Sequence, residues 1–475
     1  MEGTVDLVIK NGRICIGAEL INGGIAIKSG KIVAIASGEH LPTSDNVIDA
    51  NGMPVIPGLI DAHVHTRDPG YTWKEDFETA TRCAAFGGVT TIVDMPNVKP
   101  APSSVETFIG KREICERKAV VDFNHWASPL KPEEIPGIVN EGTVGFKIFM
   151  KKAAAYPYDT GASTDDLGLI YRALCVIAKY DVPCIIHPYN EAVYKVKLED
   201  FKQSGNISLK AYCKMIYSPE IQVSIVPTLI YMAKKAKARI GILHSDTEEL
   251  FKLLKAARDE NQIVYQELNP YSLWPIQKTS IAYDHLSTLP SGLADVLDEE
   301  ANKFVEQAWK ILLSDDFLNF GYIASDHAPH LKEEFIGVAP EEAHLGWGDL
   351  LSFYPLIFFN AVNEGKLSIQ RVVKLCSENP AKLLGLYPKK GTIQVGSDAD
   401  LIIIDMKKEY TISAETSNSK CGWSIWDGIK VKGAPHYVIL RGEVIAENGQ
   451  IIGCPGFGKF VRPIAKPHPH FLSIN

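Results

Sequence analysis

The chain has 475 residues, 46% of them hydrophobic, enough for a large core: either one big barrel with an appendage or two to three ordinary domains. Its 57 acids against 49 bases give a formal net charge of −8 with no long basic run, which argues against a nucleic-acid or anionic-membrane surface and favours a small-molecule substrate. The longest apolar runs, such as DLIIID at 400–405, are strand-sized and far short of the roughly 18 residues of a bilayer span. The opening MEGTVDLVIKNG lacks the basic-then-apolar layout of a signal peptide, so a cytoplasmic protein is expected. The 9 cysteines form no CxxC pair or regular framework, and Cys175 and Cys184 lie in apolar stretches; structural thiols are expected.

Residues 4–50 read as short strands (VDLVIKNGRI, GGIAIKSGKIVAIA) broken by NG, GG and SGK hairpin signals. The same style returns from about 390 in KGTIQVGSDADLIIIDM and HYVILRGEVIAENGQIIG. The two ends, 1–54 and 390–475, are expected to pair into a small β-sandwich domain. Between them, apolar strand-like runs alternate with helical stretches, the layout of parallel β/α units. Eight candidate strands follow in order: VIPGLIDAH, VTTIVDM, AVVDFNHW, TVGFKIFM, VPCIIHP, RIGILHSD, IVYQEL and FGYIASD. Eight suggests an α/β fold with a closed (β/α)8 TIM barrel over 55–389, whose active site gathers at the C-terminal strand ends. Residues 151–164 and 275–300 are the expected long loops beside that site.

His63 and His65 stand one residue apart, so on a strand their side chains share a face and two imidazoles can reach one cation. Such a pair alone is not specific. The other strand ends add Lys147 in GFKIF, His187 after CII, His244 after GIL and Asp326 after IAS. Imidazoles and carboxylates suit Zn²⁺, with Mn²⁺ or other divalent ions as weaker candidates. Lys147 is the odd member, because an ammonium repels metal cations. It is a structural residue, a base, or a neutral amine converted by CO₂ to a carbamate whose oxygens bridge two ions.

PGLIDAHVHTRDPG, GGVTTIVDMPN, GFKIF and IASDHAPH together resemble the cyclic-amidase branch of the amidohydrolase superfamily: dihydroorotases, hydantoinases, dihydropyrimidinases and allantoinases. ENPAKLLGLYPKKGTIQVGSDADLIIID extends the resemblance over nearly the whole chain. The resemblance implies that His63, His65 and Asp326 bind one zinc and His187 and His244 a second. It also implies that Lys147, as N6-carboxylysine, bridges both with a hydroxide, and that Asp326 is general base and then general acid. It implies a homo-oligomer, dimer or tetramer; the charge and the short apolar runs leave no nucleic-acid or membrane partner expected.

Substrate choice rests outside the metal ligands. Arg67, Asn97 and His330 match the positions with which dihydroorotases hold a substrate carboxylate, and an arginine fork suits that anion. Taken singly, each reads as a loop salt bridge or turn residue. Against that trio, His187 is followed by Pro188-Tyr189-Asn190 where the family usually has Ala-Glu. His244 is followed by Ser245-Asp246, the seventh strand runs into ELNPYSLW without the dihydroorotase KVNPPLR-like segment, and the tail looks more like a hydantoinase or dihydropyrimidinase.

Three readings result: a dihydroorotase-like enzyme opening L-dihydroorotate to N-carbamoyl-L-aspartate, a hydantoinase- or allantoinase-like enzyme on a related cyclic ureide, and a non-catalytic scaffold relative. The scaffold reading is weakest, because all six ligand positions are filled. His327 reads as a loop or ligand-supporting group. Tyr156 and Tyr158 read as a substrate-side or exposed loop pair, Trp347 as a helix-packing or site-covering residue, and Gly87-Gly88 as a tight turn.

Overall fold

The computed structural model describes residues 4–150, 161–205, 207–274 and 299–464. Five strands come first: β1 (Leu7–Ile16), β2 (Glu19–Lys28), β3 (Lys31–Ala36), β4 (Val47–Asp49) and β5 (Pro54–Pro57). Eight more follow: β6 (Leu59–Val64), β7 (Val89–Asp94), β8 (Asp122–His125), β9 (Phe146–Phe149), β10 (Cys184–His187), β11 (Ile240–Ile242), β12 (Val264–Leu268) and β13 (Gly321–Ile323). The chain ends in β14 (Leu401–Thr411), β15 (Lys430–Leu440), β16 (Glu443–Glu447) and β17 (Gln450–Ile451).

β6 to β13 are the barrel. Each pairs in parallel with its sequence neighbour within β6-β7-β8 and β9 to β13. Parallel bridges Ala127↔Phe146 and Val64↔His327 close the two seams. All eight strands are buried along their length, as expected of strands covered on both faces. Their inward side chains, among them Ile60, Val93, Trp126, Ile185, Leu243, Tyr265 and Tyr322, fill the barrel interior.

Both chain ends meet in one mixed nine-stranded sheet, ordered β17-β16-β15-β14-β5-β1-β2-β3 with β4 on β1. β5 joins the halves, parallel to β1 and antiparallel to β14. Ile9, Ile14, Ile25, Ile27, Leu401, Ile403 and Ile439 form this sheet's own core.

The structure divides the candidate strand VIPGLIDAH. Gly58 cuts it into β5 in the terminal sheet and β6 in the barrel. A Cβ at Gly58 would lie 2.1 Å from Thr90 Oγ1, so the crossing between sheets has room only for glycine. A run of hydrophobic residues shows no break there, because both halves are equally buried.

A buried ion cluster fastens the barrel floor to the terminal sheet. Lys390 Nζ lies 2.8 Å from Asp122 Oδ2 on β8, 2.5 Å from Asp400 Oδ2 and 3.3 Å from Asp398 Oδ2, while Arg441 pairs with Asp122. Lys459 to Val461 return to the barrel and pair in parallel with Phe123, its N–H donating to Lys459 O at 3.0 Å and its carbonyl accepting from Val461 N at 2.8 Å. All nine cysteines are free; Cys184 is buried and Cys175 partly exposed. Among the described residues no helix is long and apolar enough to cross a membrane.

Candidate active site

The strand ends bring the six expected metal ligands together. His63 lies within β6 and His65 just beyond it, Lys147 within β9, His187 at the end of β10, and His244 and Asp326 in the turns after β11 and β13. His63 Nε2 and His65 Nε2 lie 3.1 Å and 3.3 Å from Asp326 Oδ1 and 3.3 Å from each other. His244 Nε2 lies 3.2 Å from His187 Nδ1, and its ring centroid 5.4 Å from that of His63. Arg67, His244 and Asp326 have φ of 61°, 53° and 53°, a left-handed backbone that non-glycine residues keep only where surrounding structure enforces it.

A ring of carboxylate and amide groups sets the tautomers. His63 Nδ1 lies 2.9 Å and 3.0 Å from the two oxygens of Glu267, so it carries the hydrogen and donates. Asn269 Nδ2 donates to Glu267 Oε1 at 3.1 Å and to Ala324 O at 2.9 Å. That fixes Asn269 Oδ1 as the acceptor for His244 Nδ1 at 3.0 Å. His65 Nδ1 donates to Asn97 Oδ1 at 2.7 Å. All three histidines therefore turn Nε2 toward the centre, the arrangement by which outer groups prepare imidazoles for a cation.

The electrostatics fit a metal pair. Burial lowers the His65 imidazole to about 3 and lowers His244 as well, leaving both neutral and able to ligate. Burial also works against charge on His63, but Glu267 and Asp326 on its two sides raise it to about 9, so a metal ion displaces a proton there. Burial favours protonation of Asp326, yet His63 and His65 hold it well below the usual carboxylate range. Lys147 Nζ is wholly buried, without a hydrogen-bond partner among the described residues, and 4.3 Å from the Phe149 ring centroid. Burial lowers it to about 7, so a large share is neutral amine at neutral pH, the form that reacts with CO₂.

Above the ligands lies a cavity walled by Arg67, Phe149, Tyr217, Tyr271, Leu345 and Trp347. Arg67 is the one expected substrate residue in that wall. Its Nε donates to Pro329 O at 3.2 Å, and its Nη2 lies 3.0 Å from His330 Nε2. His330 is buried behind it, and the Asn97 carbonyl accepts from His65 Nδ1. Arg67 is thus joined to His330, and Asn97 to His65.

The amidohydrolase family model matches residues 55–445. The chain belongs to the amidohydrolase family. Within it, the chain is 30% identical over 470 residues to the L-hydantoinase of Paenarthrobacter aurescens, covering 96% of this chain and 98% of the relative. It is 31% identical over 438 residues to the dihydroorotase of Methanothermobacter thermautotrophicus, covering 92% and 93%. The solved L-hydantoinase (dihydropyrimidinase) of Arthrobacter aurescens superposes with a TM-score of 0.87 at 29% identity, covering 96% of this chain and all of that one. These relatives place this amidohydrolase in the cyclic-amidase branch.

Several residues of this amidohydrolase site were not singled out by sequence. Glu267 and Asn269 close β12 and orient two histidines; the signal was available, since Glu267 is the ionisable residue ending IVYQEL. Tyr271 OH donates to Asp326 Oδ2 at 3.0 Å, and its ring packs against Trp347 at 5.8 Å, so Trp347 covers the site. His327 is wholly buried, its carbonyl accepting from His65 N at 2.8 Å across the closing seam and its Nε2 lying 3.4 Å from Glu75. Tyr156 and Tyr158 lie outside the described residues, as do most of the expected loops 151–164 and 275–300.

Proposed function

We propose that this amidohydrolase hydrolyses the endocyclic amide of a carboxylate-bearing cyclic ureide, in the manner of a dihydroorotase: L-dihydroorotate to N-carbamoyl-L-aspartate. The observation that carries this reading is Arg67, a guanidinium in the cavity wall beside the metal ligands. A carboxylate meets an arginine fork with two charge-assisted hydrogen bonds, so a guanidinium in the wall of a small cavity suits a substrate that carries one.

His63, His65 and Asp326 would hold one zinc ion and His187 and His244 a second, with carboxylated Lys147 between them; Mn²⁺ or another divalent ion suits the same donors. When bound, the metals lower the pKa of water and polarise the ring carbonyl. Asp326 takes the proton of the attacking water as the oxygen adds to the carbonyl carbon. It then returns that proton to the ring nitrogen as the C–N bond breaks, so the nitrogen leaves as the neutral NH2 of the product's carbamoyl group. The Tyr271 hydroxyl, donating to Oδ2, holds the carboxylate plane during both transfers. A small substrate and a homo-oligomer of cytoplasmic type complete the reading.

A second reading, a hydantoinase- or allantoinase-like enzyme on an uncharged ring, is supported by the likeness to hydantoinases in sequence and structure. Arg67→Ala separates the two. On L-dihydroorotate, kcat/KM is expected to fall by the equivalent of about 2–5 kcal/mol, with hydantoin and dihydrouracil little changed. Dominant activity on uncharged rings that ignores the substitution rejects the dihydroorotase reading. A folded protein that takes up no zinc and opens no ring would return the scaffold reading.

A further inference from the structure

The connection between β14 and β15, residues 412–429, leaves the terminal sheet and reaches the face of the barrel that carries the site. Its base is closed by Ile412 N donating to Ile429 O and Gly428 N to Ile412 O, both at 2.8 Å. From that base it touches the loops after three neighbouring barrel strands. Lys420 Nζ donates to Thr72 O at 2.8 Å and to Asp76 Oδ2 at 2.6 Å, after β6. Trp423 Nε1 donates to His330 O at 2.7 Å, and Ser417 Oγ to Asp349, after β13. Trp426 Nε1 donates to Trp274 O at 2.8 Å, after β12. Both indoles are buried.

Two of those loops carry walls of the cavity that meet each other. Tyr271 comes from the loop after β12 and Trp347 from the loop after β13, and their rings pack at 5.8 Å. Tyr271 OH donates to Asp326 Oδ2 at 3.0 Å and lies 3.2 Å from His244 Nδ1, so the place of this ring sets contacts to two of the expected ligands. Trp347 is bridged in parallel to His327, with Ala328 N donating to Trp347 O at 3.2 Å. Beside it Gly348 is pressed against Trp423: a Cβ there would lie 2.5 Å from Trp423 O and 2.8 Å from the indole. Trp426 grips the other wall, three residues past Tyr271. An indole N–H can only donate, and a buried donor that loses its acceptor is costly, so each carbonyl is held where its indole stands.

We infer that Trp423 and Trp426 are positioning residues of the active site. Reaching over from the terminal sheet, they set the spacing of Tyr271 against Trp347 and hold the Tyr271 hydroxyl on Asp326. The terminal domain thereby takes part in turnover without touching the substrate. The inference rests on the ring-opening reading above and holds for a ring with or without a carboxylate.

The test is a double-mutant cycle on zinc-loaded enzyme, using whichever of L-dihydroorotate, hydantoin and dihydrouracil the wild type opens fastest. Trp426→Phe keeps an aromatic ring and removes the N–H. It is expected to lower kcat about tenfold in the wild-type background, since a small misplacement near the reacting groups is costly. In a Tyr271→Phe background, where the positioned hydroxyl is gone, the loss is expected to stay within about twofold. Zinc affinity, read by chelator competition, is expected to fall severalfold with Trp426→Phe only while Tyr271 is present, and the thermal midpoint to stay within a few degrees. An indole that serves packing alone gives equal fractional losses in both backgrounds; that result, or no loss in either, overturns the inference. If Trp426→Phe does not fold, Trp423→Phe runs the same cycle with the same two outcomes. Tyr271→Phe with wild-type kcat overturns it as well. Wild-type enzyme that opens none of the three rings rejects the ring-opening reading first, and the inference falls with it.

Discussion

Glu267 places both carboxylate oxygens within 3.0 Å of His63 Nδ1, from a strand two places round the barrel. The pair makes β12 responsible for the aim of an imidazole on β6. Glu267→Gln keeps the volume and one acceptor but removes the charge that raises His63 basicity. Metal affinity is expected to fall about 10–100-fold, read by chelator competition, with the circular dichroism spectrum unchanged. Undiminished affinity would show that the carboxylate serves packing alone.

In the proposed reaction Asp326 serves both as ligand and as proton carrier. Asp326→Asn is expected to lower kcat by at least the roughly 10²–10⁴-fold typical of lost general acid–base catalysis, while thermal unfolding is unchanged within a few degrees. A variant turning over at the wild-type rate excludes Asp326 from proton transfer.

A carbamate at Lys147, as proposed, would give a pH signature for assembly. Burial lowers this amine to about 7, so the CO₂-reactive neutral form grows as pH rises through that value, whereas below it an ammonium repels incoming cations. Reconstitution of stripped enzyme with zinc is expected to be faster at pH 8 than at pH 6 and to be accelerated by bicarbonate at both. Lys147→Arg, always cationic, is expected to bind markedly less zinc. Indifference to bicarbonate in the stopped-flow recovery of activity rules the carbamate out.

Lys390 concerns stability. Burial alone would lower it, but Asp122, Asp400 and Asp398 raise it, so its contribution is full below the ordinary lysine value of about 10.4 and is lost as pH climbs through the raised value. Burial raises Asp122, but Lys390 and Arg441 together lower it; its contribution is present above about 3.9 and is lost on acidification through the lowered value. Asp400, raised chiefly by burial, opposes part of this gain. Lys390→Met leaves uncompensated buried carboxylates and is expected to cost about 3–5 kcal/mol in denaturant titration at pH 7.

The barrel was legible because each of its strands is a short apolar run ending in a chemically distinctive residue. His63, His65, Lys147, His187, His244 and Asp326 all lie at or next to those ends, where parallel pairing brings them to one face. Gly58 was not legible as a boundary, since burial is continuous across it. The role of Asn97 was equally hidden: whether an amide meets an arginine or a histidine depends on side-chain placement across two strands, which no local spacing encodes. Lys74, Glu334 and His344 carry no motif in the sequence, and only the fold brings them together around one ammonium.

The return of Lys459–Val461 to β8 bears on how the molecule is made. Asn124 Nδ2 donates to Val461 O, a contact spanning 337 residues, and it seals the lower part of β8 on the side facing β9. A nascent chain leaving the ribosome thus carries β8 with an unsatisfied edge until nearly everything else has been translated. Edges of that kind pair with wrong neighbours, and contacts so far apart in sequence form slowly. An edge left open until residues 459–461 arrive is thus a place where mispairing competes with native folding.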